Sequence, residues 1–354
     1  MRAAGRTHLK VLGAAVGLIL TAVLVSTAFF RWNFRGEGPL LTPRFSLGEF
    51  VRDLPSHLPW LALFVLLTAS MIPLRAVQWQ RTLAKGVPFR ERYHTVAIGA
   101  FTHNALPGKL GDLFRSFLMS RSQNIPFVRS LGSVAVCKLL EFCALVSLAA
   151  LSLLGPVGEM LAQFAEALRT AGIGCLALVA AVVLLAHFAA PLAGSLKRSH
   201  RLPRIQLFLR EVSEGLGTAR SFRGMAVALL FSFPPVLASA LAYGAALAGM
   251  GLPGAIFAGP VMLVAISLGQ STPGIPVGMG VYYFVTSWMA RALGASPEDA
   301  AAYAALTHLS TLLTNISVGG ISVWTRRLGW RELIQRTRTA REEIRHVEEA
   351  EMSA

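Results

Sequence analysis

Two short stretches hold most of the residues that could do chemistry in an otherwise apolar chain. The first runs Phe101-Thr102-His103-Asn104-Ala105-Leu106-Pro107-Gly108-Lys109-Leu110-Gly111-Asp112-Leu113-Phe114-Arg115. Pro107 has no amide hydrogen, and Gly108 and Gly111 can adopt conformations that leave a helix. A break of this kind exposes backbone groups, which at membrane depth are tolerated only where protein or a water-filled cavity satisfies them. Helix ends meeting there offer amide donors to an anion, and Lys109 and Arg115 add positive charge. A phosphate-bearing lipid headgroup is the natural guest. Asp112 would pair with Arg115 or with a cationic part of the ligand.

The second stretch runs Ser267-Leu268-Gly269-Gln270-Ser271-Thr272-Pro273-Gly274-Ile275-Pro276-Val277-Gly278-Met279-Gly280-Val281-Tyr282-Tyr283. It repeats the polar approach, the Pro-Gly break and the further small residue. Asn104 and Gln270 each lie three residues before their Pro-Gly pair. An inverted-topology repeat would have this form, with substrate bound at the repeat interface. The bland alternative is a pair of structural kinks with tight helix packing. Against it, intramembrane charges are costly and commonly mark a pathway or a paired buried site.

Further polar residues lie inside apolar blocks. Lys138 and Glu141 share one helix face, either as an internal ion pair that ties the helix to a neighbour or as part of a substrate site. His308 sits with Thr311, Thr314 and Asn315 in a polar stripe, as a hydrogen-bonded packing residue or a proton relay. His187 has apolar neighbours and reads as structural. Arg75, Gln78 and Arg81 follow Pro73 at a span end, where snorkelling explains them. Arg75 could also line the mouth of the first broken stretch.

The elements that must position these residues follow from composition. Only 14% of the 354 residues are charged, against about 25% in ordinary soluble domains, and the mean hydropathy is +0.57. The expected class is an all-α, polytopic helical membrane protein. Six full spans are expected near 9–30, 58–77, 130–154, 170–193, 224–248 and 300–324, each approaching the ~20 residues that cross a bilayer. The broken stretches near 94–119 and 254–290 complete the set. Residues 1–330 form a single transmembrane domain in this reading, with 331–354 as a polar cytoplasmic tail.

Charge sets the expected topology. Segments 1–10, 75–129, 194–223 and 326–345 hold 26 of the 33 Lys and Arg residues. Segments 31–57, 155–169 and 291–299 hold six, beside seven acidic residues, and Lys138 lies within a span. The positive-inside rule then places both termini in the cytoplasm. This works when each broken stretch returns to its own side, as a re-entrant hairpin from the cytoplasm near 94–119 and one from the exterior near 254–290. Ordinary additional spans are the alternative. Residues 31–57 read as an outer linker with room for a short helix, and 197–223 as an amphipathic interfacial helix. The N-terminus reads as an uncleaved first span. Cys137, Cys143 and Cys175 all sit in apolar blocks, as small buried thiols rather than a disulfide scaffold.

At the Asn104–Arg115 motif the chain resembles the integral-membrane proteins that share the transmembrane flippase region of the bacterial lysylphosphatidylglycerol synthase/flippase. The resemblance covers most of the chain, from about the second span to residue 324. In the family an arginine closes the second span, a place taken by Arg75. An Asn-x-x-Leu-Pro element follows with a glycine, an acidic residue and an arginine, matched by Asn104, Leu106, Pro107, Gly111, Asp112 and Arg115 with one residue fewer after the asparagine. Glu141 corresponds to an acidic residue in the next span. The later glycine-rich element corresponds to Pro273–Tyr282, but Ile275 and Pro276 interrupt it, and Tyr282 or Tyr283 replaces the usual acidic residue. His308 stands where the last span often carries arginine. The resemblance implies lipid translocation without lysyl transfer, since the soluble aminoacyl-transfer domain is not in this chain. Relatives in hopanoid and glycolipid pathways leave the cargo open.

The leading function is therefore transport or flipping of a polar, anionic lipid across the bacterial cytoplasmic membrane. The expected translocation residues are Arg75, Asn104, Pro107, Gly108, Lys109, Gly111, Asp112, Arg115, Lys138, Glu141, Gln270, Pro273, Gly274, Gly278, Tyr282 and His308. The headgroup would pass between the hairpins while the tails stay in the bilayer. With no nucleotide-binding motif, movement would run downhill or be coupled to protons or another ion through Asp112, Glu141 and His308. Membrane lipids are the expected partners. No cofactor, metal site or nucleic-acid binding is expected, and the oligomeric state is open. The runner-up is a lipid-modifying transferase using Asp112, Glu141 and His103 as acid or base, although no metal-ligand set or activated nucleophile accompanies them. The third is a non-transporting partner of an envelope-lipid synthesis complex.

Overall fold

The computed structural model describes residues 19–33, 39–44, 47–83, 86–105, 110–155, 157–197, 203–252, 254–270 and 279–328. The apolar blocks fold as helices: α1 (Ile19–Phe29), α2 (Leu47–Trp79), α3 (Phe89–Ala105), α4 (Gly111–Gln123), α5 (Phe127–Leu153), α6 (Ala165–Lys197), α7 (Pro203–Gly215), α8 (Phe222–Leu230), α9 (Phe233–Gly249), α10 (Gly259–Gln270), α11 (Met279–Ala292) and α12 (Pro297–Thr325). Among the described residues the fold is all-α except for a short antiparallel ribbon, β1 (Phe30–Trp32) paired with β2 (Leu41–Pro43), in which Arg31 faces Thr42. The ribbon lies where an outer linker was expected. Its aromatic and β-branched residues suit a paired strand, and Asn33 N–H donates to Leu40 O at 2.9 Å to extend it.

Among the described residues, four helical stretches are long and apolar enough to cross a membrane: Val51–Trp79, Phe127–Leu153, Ala165–Ala189 and Phe222–Gly249. They coincide with four of the expected spans. The first expected span, 9–30, is described only from Ile19. The last, 300–324, is the 29-residue α12, whose Thr307, His308, Thr311, Thr314 and Asn315 keep it outside the apolar set. Ser296 caps α12, accepting the Asp299 amide at 3.0 Å, and Pro297 follows at the first helical position. The Phe222–Gly249 span is broken at Phe231–Ser232, because Pro234 and Pro235 lack the amide hydrogens that would continue α8 into α9. The α7 helix and the short helical turn Gly217–Arg220 occupy the expected amphipathic segment. The tail expected at 331–354 lies outside the described residues.

The chain divides into two compact units. Unit 1 comprises 1–69, 145–171 and 236–313. In it Phe64 meets Tyr243 edge-to-face at 5.3 Å, and a side chain on Gly249 would run into the Trp60 ring. The α10 and α11 helices pack together in this unit. Unit 2 comprises 70–144, 172–235 and 314–354. Its core joins Ile72, Ala76 and Trp79 of α2 to Val96 and Ala97 of α3, Met119 of α4, and Val134 and Cys137 of α5.

Buried polar side chains bind this second core to itself. Trp79 donates its indole N–H to Ser133 Oγ at 3.0 Å. Gln78, 2% exposed, donates to Ser232 Oγ at 2.9 Å and to Cys137 O at 3.3 Å. Arg92, 3% exposed, donates to Gln80 Oε1 and to Ala76 O, both at 2.9 Å, the latter a carbonyl left open at the end of α2. Snorkelling therefore does not describe Gln78, which sits inside the fold. Arg81 lies over the Phe231 ring at 3.8 Å, a cation–π contact.

Candidate functional site

On either side of the first break, α3 and α4 pack against each other within unit 2. Gly111 is the first residue of α4, so conformational freedom is not what it supplies. A side chain there would overlap the Gly99 carbonyl and the His103 Cβ, and one on Gly99 would press on Arg115 Cβ and Gly111 O, both at 3.1 Å. The two glycines let α3 and α4 touch backbone to backbone. That contact brings the α4 residues Asp112 and Arg115 beside α2 and α5.

Five charged side chains meet there, all from unit 2. Arg115 Nε lies 3.2 Å from Asp112 Oδ1. Lys138 Nζ lies 3.7 Å from Asp112 Oδ2 and 3.4 Å from Glu141 Oε2. Arg75 Nε lies 3.4 Å from Glu141 Oε1. Three cations thus face two carboxylates, an excess of one positive charge. The Arg115 guanidinium also stands 5.1 Å from the Trp79 ring centre. Lys138 and Glu141 form an ion pair, and each also reaches a second element, Asp112 of α4 and Arg75 of α2.

Exposure differs sharply across the cluster. The side chains of Arg115 and Glu141 are 5% and 10% exposed, whereas those of Arg75, Lys138 and Asp112 are 30%, 39% and 44% exposed. The cluster therefore has a closed floor and an open rim. At the floor, Arg115 Nη2 is buried with no hydrogen-bond partner, and Nε has only its ion-pair contact with Asp112. An unmet donor on a buried cation is costly. A tetrahedral oxyanion would satisfy both nitrogens, because guanidinium pairs with phosphate oxygens through parallel N–H bonds.

Asn104, at the end of α3, donates its amide to Ala100 O in the preceding turn at 2.8 Å. Pro107, Gly108 and Lys109 lie outside the described residues, as do Pro273, Gly274 and Gly278. In unit 1, Gln270 is the last residue of α10. The second broken stretch leads there into a hydroxyl network rather than a charged cluster. Tyr282, 3% exposed, bonds to Tyr243 Oη and Thr307 Oγ1, both at 3.0 Å. Tyr303 donates to Tyr243 O at 3.3 Å. Tyr283 bonds to His308 Nδ1 at 2.7 Å, and Phe29 meets the Tyr283 ring edge-on at 5.0 Å. His308 is therefore half-buried against aromatic rings. His187 bonds Val183 O of its own helix at 2.8 Å. Among the described residues no group of three His, Cys, Asp or Glu could hold a metal ion.

Sequence reasoning missed Trp79 and Tyr243. Trp79 follows Arg75 by one helical turn, so both lie on one face of α2, a signal available at the outset. Tyr243 is the one tyrosine of its apolar span, where an unpartnered hydroxyl would be costly.

One family model matches residues 14–319, most of the chain, and it is described as the lysylphosphatidylglycerol synthase TM region. No curated protein and no solved structure matches the chain.

Proposed function

Because the chain belongs to the lysylphosphatidylglycerol synthase TM region family, we propose that it moves a polar lipid with an anionic, phosphate-bearing headgroup across the bacterial cytoplasmic membrane. Family membership and the apolar helices support a general role in membrane transport or flipping. The carrying observation for the finer reading is Arg115, buried at the floor of the α3–α4 cluster with its Nη2 donor unmet. In the resting arrangement Asp112 stands in for the ligand. An incoming phosphate takes its place on Arg115 and draws on Arg75, while Asp112 shifts onto Lys138, already 3.7 Å away. Charge at the floor changes little during this exchange, which keeps its cost low in a poorly solvated site.

In the same proposal residues 1–330 form one transmembrane domain of six spans and two re-entrant hairpins, with both termini and the tail 331–354 in the cytoplasm. Asn104, Pro107, Gly108, Lys109 and Gly111 shape the first hairpin around the headgroup. Gln270, Pro273, Gly274, Gly278, Tyr282 and His308 form the second passage, lined by neutral hydrogen-bonding groups. Movement is downhill or coupled to protons carried by Asp112, Glu141 or His308.

The test is headgroup translocation in proteoliposomes, with a panel of labelled anionic, zwitterionic and glycosyl lipids and matched Arg115→Ala and Asp112→Ala proteins. The wild type is expected to expose an anionic headgroup on the opposite face, and both variants to lose that activity while eluting as folded protein. Recovered lipid is expected to have unchanged mass, which separates transport from transferase chemistry. Equal movement by wild type and variants, or no movement of any lipid, refutes the proposal.

A further inference from the structure

We propose that Cys143 of α5 and Cys175 of α6 are a redox pair that closes to a reversible disulfide within the membrane domain. The two sulfur atoms lie 2.7 Å apart, and both residues belong to unit 2. Cys175 is 5% exposed and Cys143 is half-buried. The pairing follows from register: each cysteine lies ten residues from the helix end that faces the 154–164 connection. An antiparallel helix pair joined there brings equidistant positions level with one another. The third cysteine, Cys137, lies 3.0 Å from Thr82 Oγ1 and takes no part.

Closure breaks two S–H bonds and forms one S–S bond. The two protons and two electrons pass to a two-electron oxidant, for which a lipid-soluble quinone, reduced to the quinol, is the fitting chemical class. Both cysteines lie in apolar helical stretches long enough to cross a membrane, so an oxidant that partitions into the bilayer is the kind that reaches them. The bond would join residues 32 apart in sequence. It would pin α6 to the part of α5 that carries Lys138 and Glu141, since Cys143 follows Glu141 by two positions. The crosslink itself does not depend on the transport reading.

The protein in liposomes is treated with diamide, denatured, and its remaining thiols counted as maleimide-polymer adducts on a gel. The reduced chain carries three adducts, one for each cysteine. After oxidation one is expected, at Cys137, and three should return after dithiothreitol. Cys143→Ser and Cys175→Ser are each expected to keep both remaining adducts after diamide, whereas Cys137→Ser should lose both. In parallel, dibromobimane, which becomes fluorescent when it bridges two neighbouring thiols, is expected to label wild type and Cys137→Ser but not the other two variants. Loss of thiols in a different pairing overturns the proposal. So does retention of all three together with a negative dibromobimane result, because that reagent enters bilayers and needs no oxidation.

Discussion

Glu141→Gln removes the one carboxylate that Arg75 and Lys138 share. Both cationic nitrogens lie 3.4 Å from its oxygens, and its side chain is 10% exposed. At an effective dielectric of about 20, each contact is worth ~5 kcal/mol before desolvation is subtracted. Removing one partner of a buried pair costs about 3–5 kcal/mol, because the other charge is left uncompensated. The rim position of Lys138 lets water cover part of that loss, so about 3 kcal/mol is expected for Glu141→Gln. Asp112 carries just as many ion pairs, but its side chain is 44% exposed. Asp112→Asn should therefore cost less than Glu141→Gln. Thermal unfolding in one detergent, followed by loss of the monodisperse chromatographic peak, ranks the variants. A cycle with Arg75→Gln should reveal a coupling of about 1–3 kcal/mol between Arg75 and Glu141. Equal destabilisation by Glu141→Gln and Asp112→Asn, or strict additivity in the cycle, would refute a cluster with a closed floor and an open rim.

Gly111→Ala forces a methyl against the Gly99 carbonyl and should destabilise by about 1–3 kcal/mol through overpacking, visible as a lowered unfolding midpoint. Gly99→Ala should cost less, since its nearest neighbours stand 3.1 Å away. Tyr282→Phe deletes both 3.0 Å hydroxyl contacts and should lower stability by about 1–2 kcal/mol, more than Tyr283→Phe, which removes one bond to His308. On α7, burial and the nearby Glu214 carboxylate raise the pKa of Glu211 despite the opposing Arg129 and Arg210, and one of its oxygens is buried without a hydrogen-bond partner. An acid whose pKa is raised on folding adds stability below its ordinary pKa and loses that contribution as pH rises through the raised value. Glu211→Gln should therefore increase stability at neutral pH, and the gap to wild type should close as the buffer is acidified.

Helix positions were legible wherever apolar residues ran unbroken. The block expected at 130–154 is Phe127–Leu153, because hydrophobic length alone specifies a spanning helix. The break at Phe231–Ser232 was written in Pro234-Pro235 but concealed by the apolar residues around it. The ribbon at Phe30–Trp32 was not legible, since its strand pairing depends on the separate segment Leu41–Pro43. Arg75, Asp112, Arg115, Lys138 and Glu141 stood out singly as charges in apolar surroundings. Their assembly rests on the α3–α4 contact that sequence alone does not disclose. Gly111 shows the limit well: its residue type fits a helix break and a close approach equally, and only the position of Gly99 distinguishes them.

The division into units has a consequence for biosynthesis. Along the chain, segments alternate between the two units, so a ribosome delivers each unit in three instalments separated by pieces of the other. Unit 1 waits for residues 236–313, and unit 2 for 314–354. Early helices such as α2 must therefore leave the translocon with much of their final packing still unsynthesised, relying on lipid and on transient neighbours. Contacts so distant in sequence form slowly and leave polar groups such as Gln78 without Ser232 until more than 150 further residues have emerged. Neither half of the gene encodes a complete compact unit. A chain stopped before α12 would leave both units unfinished, a natural target for membrane quality-control proteolysis.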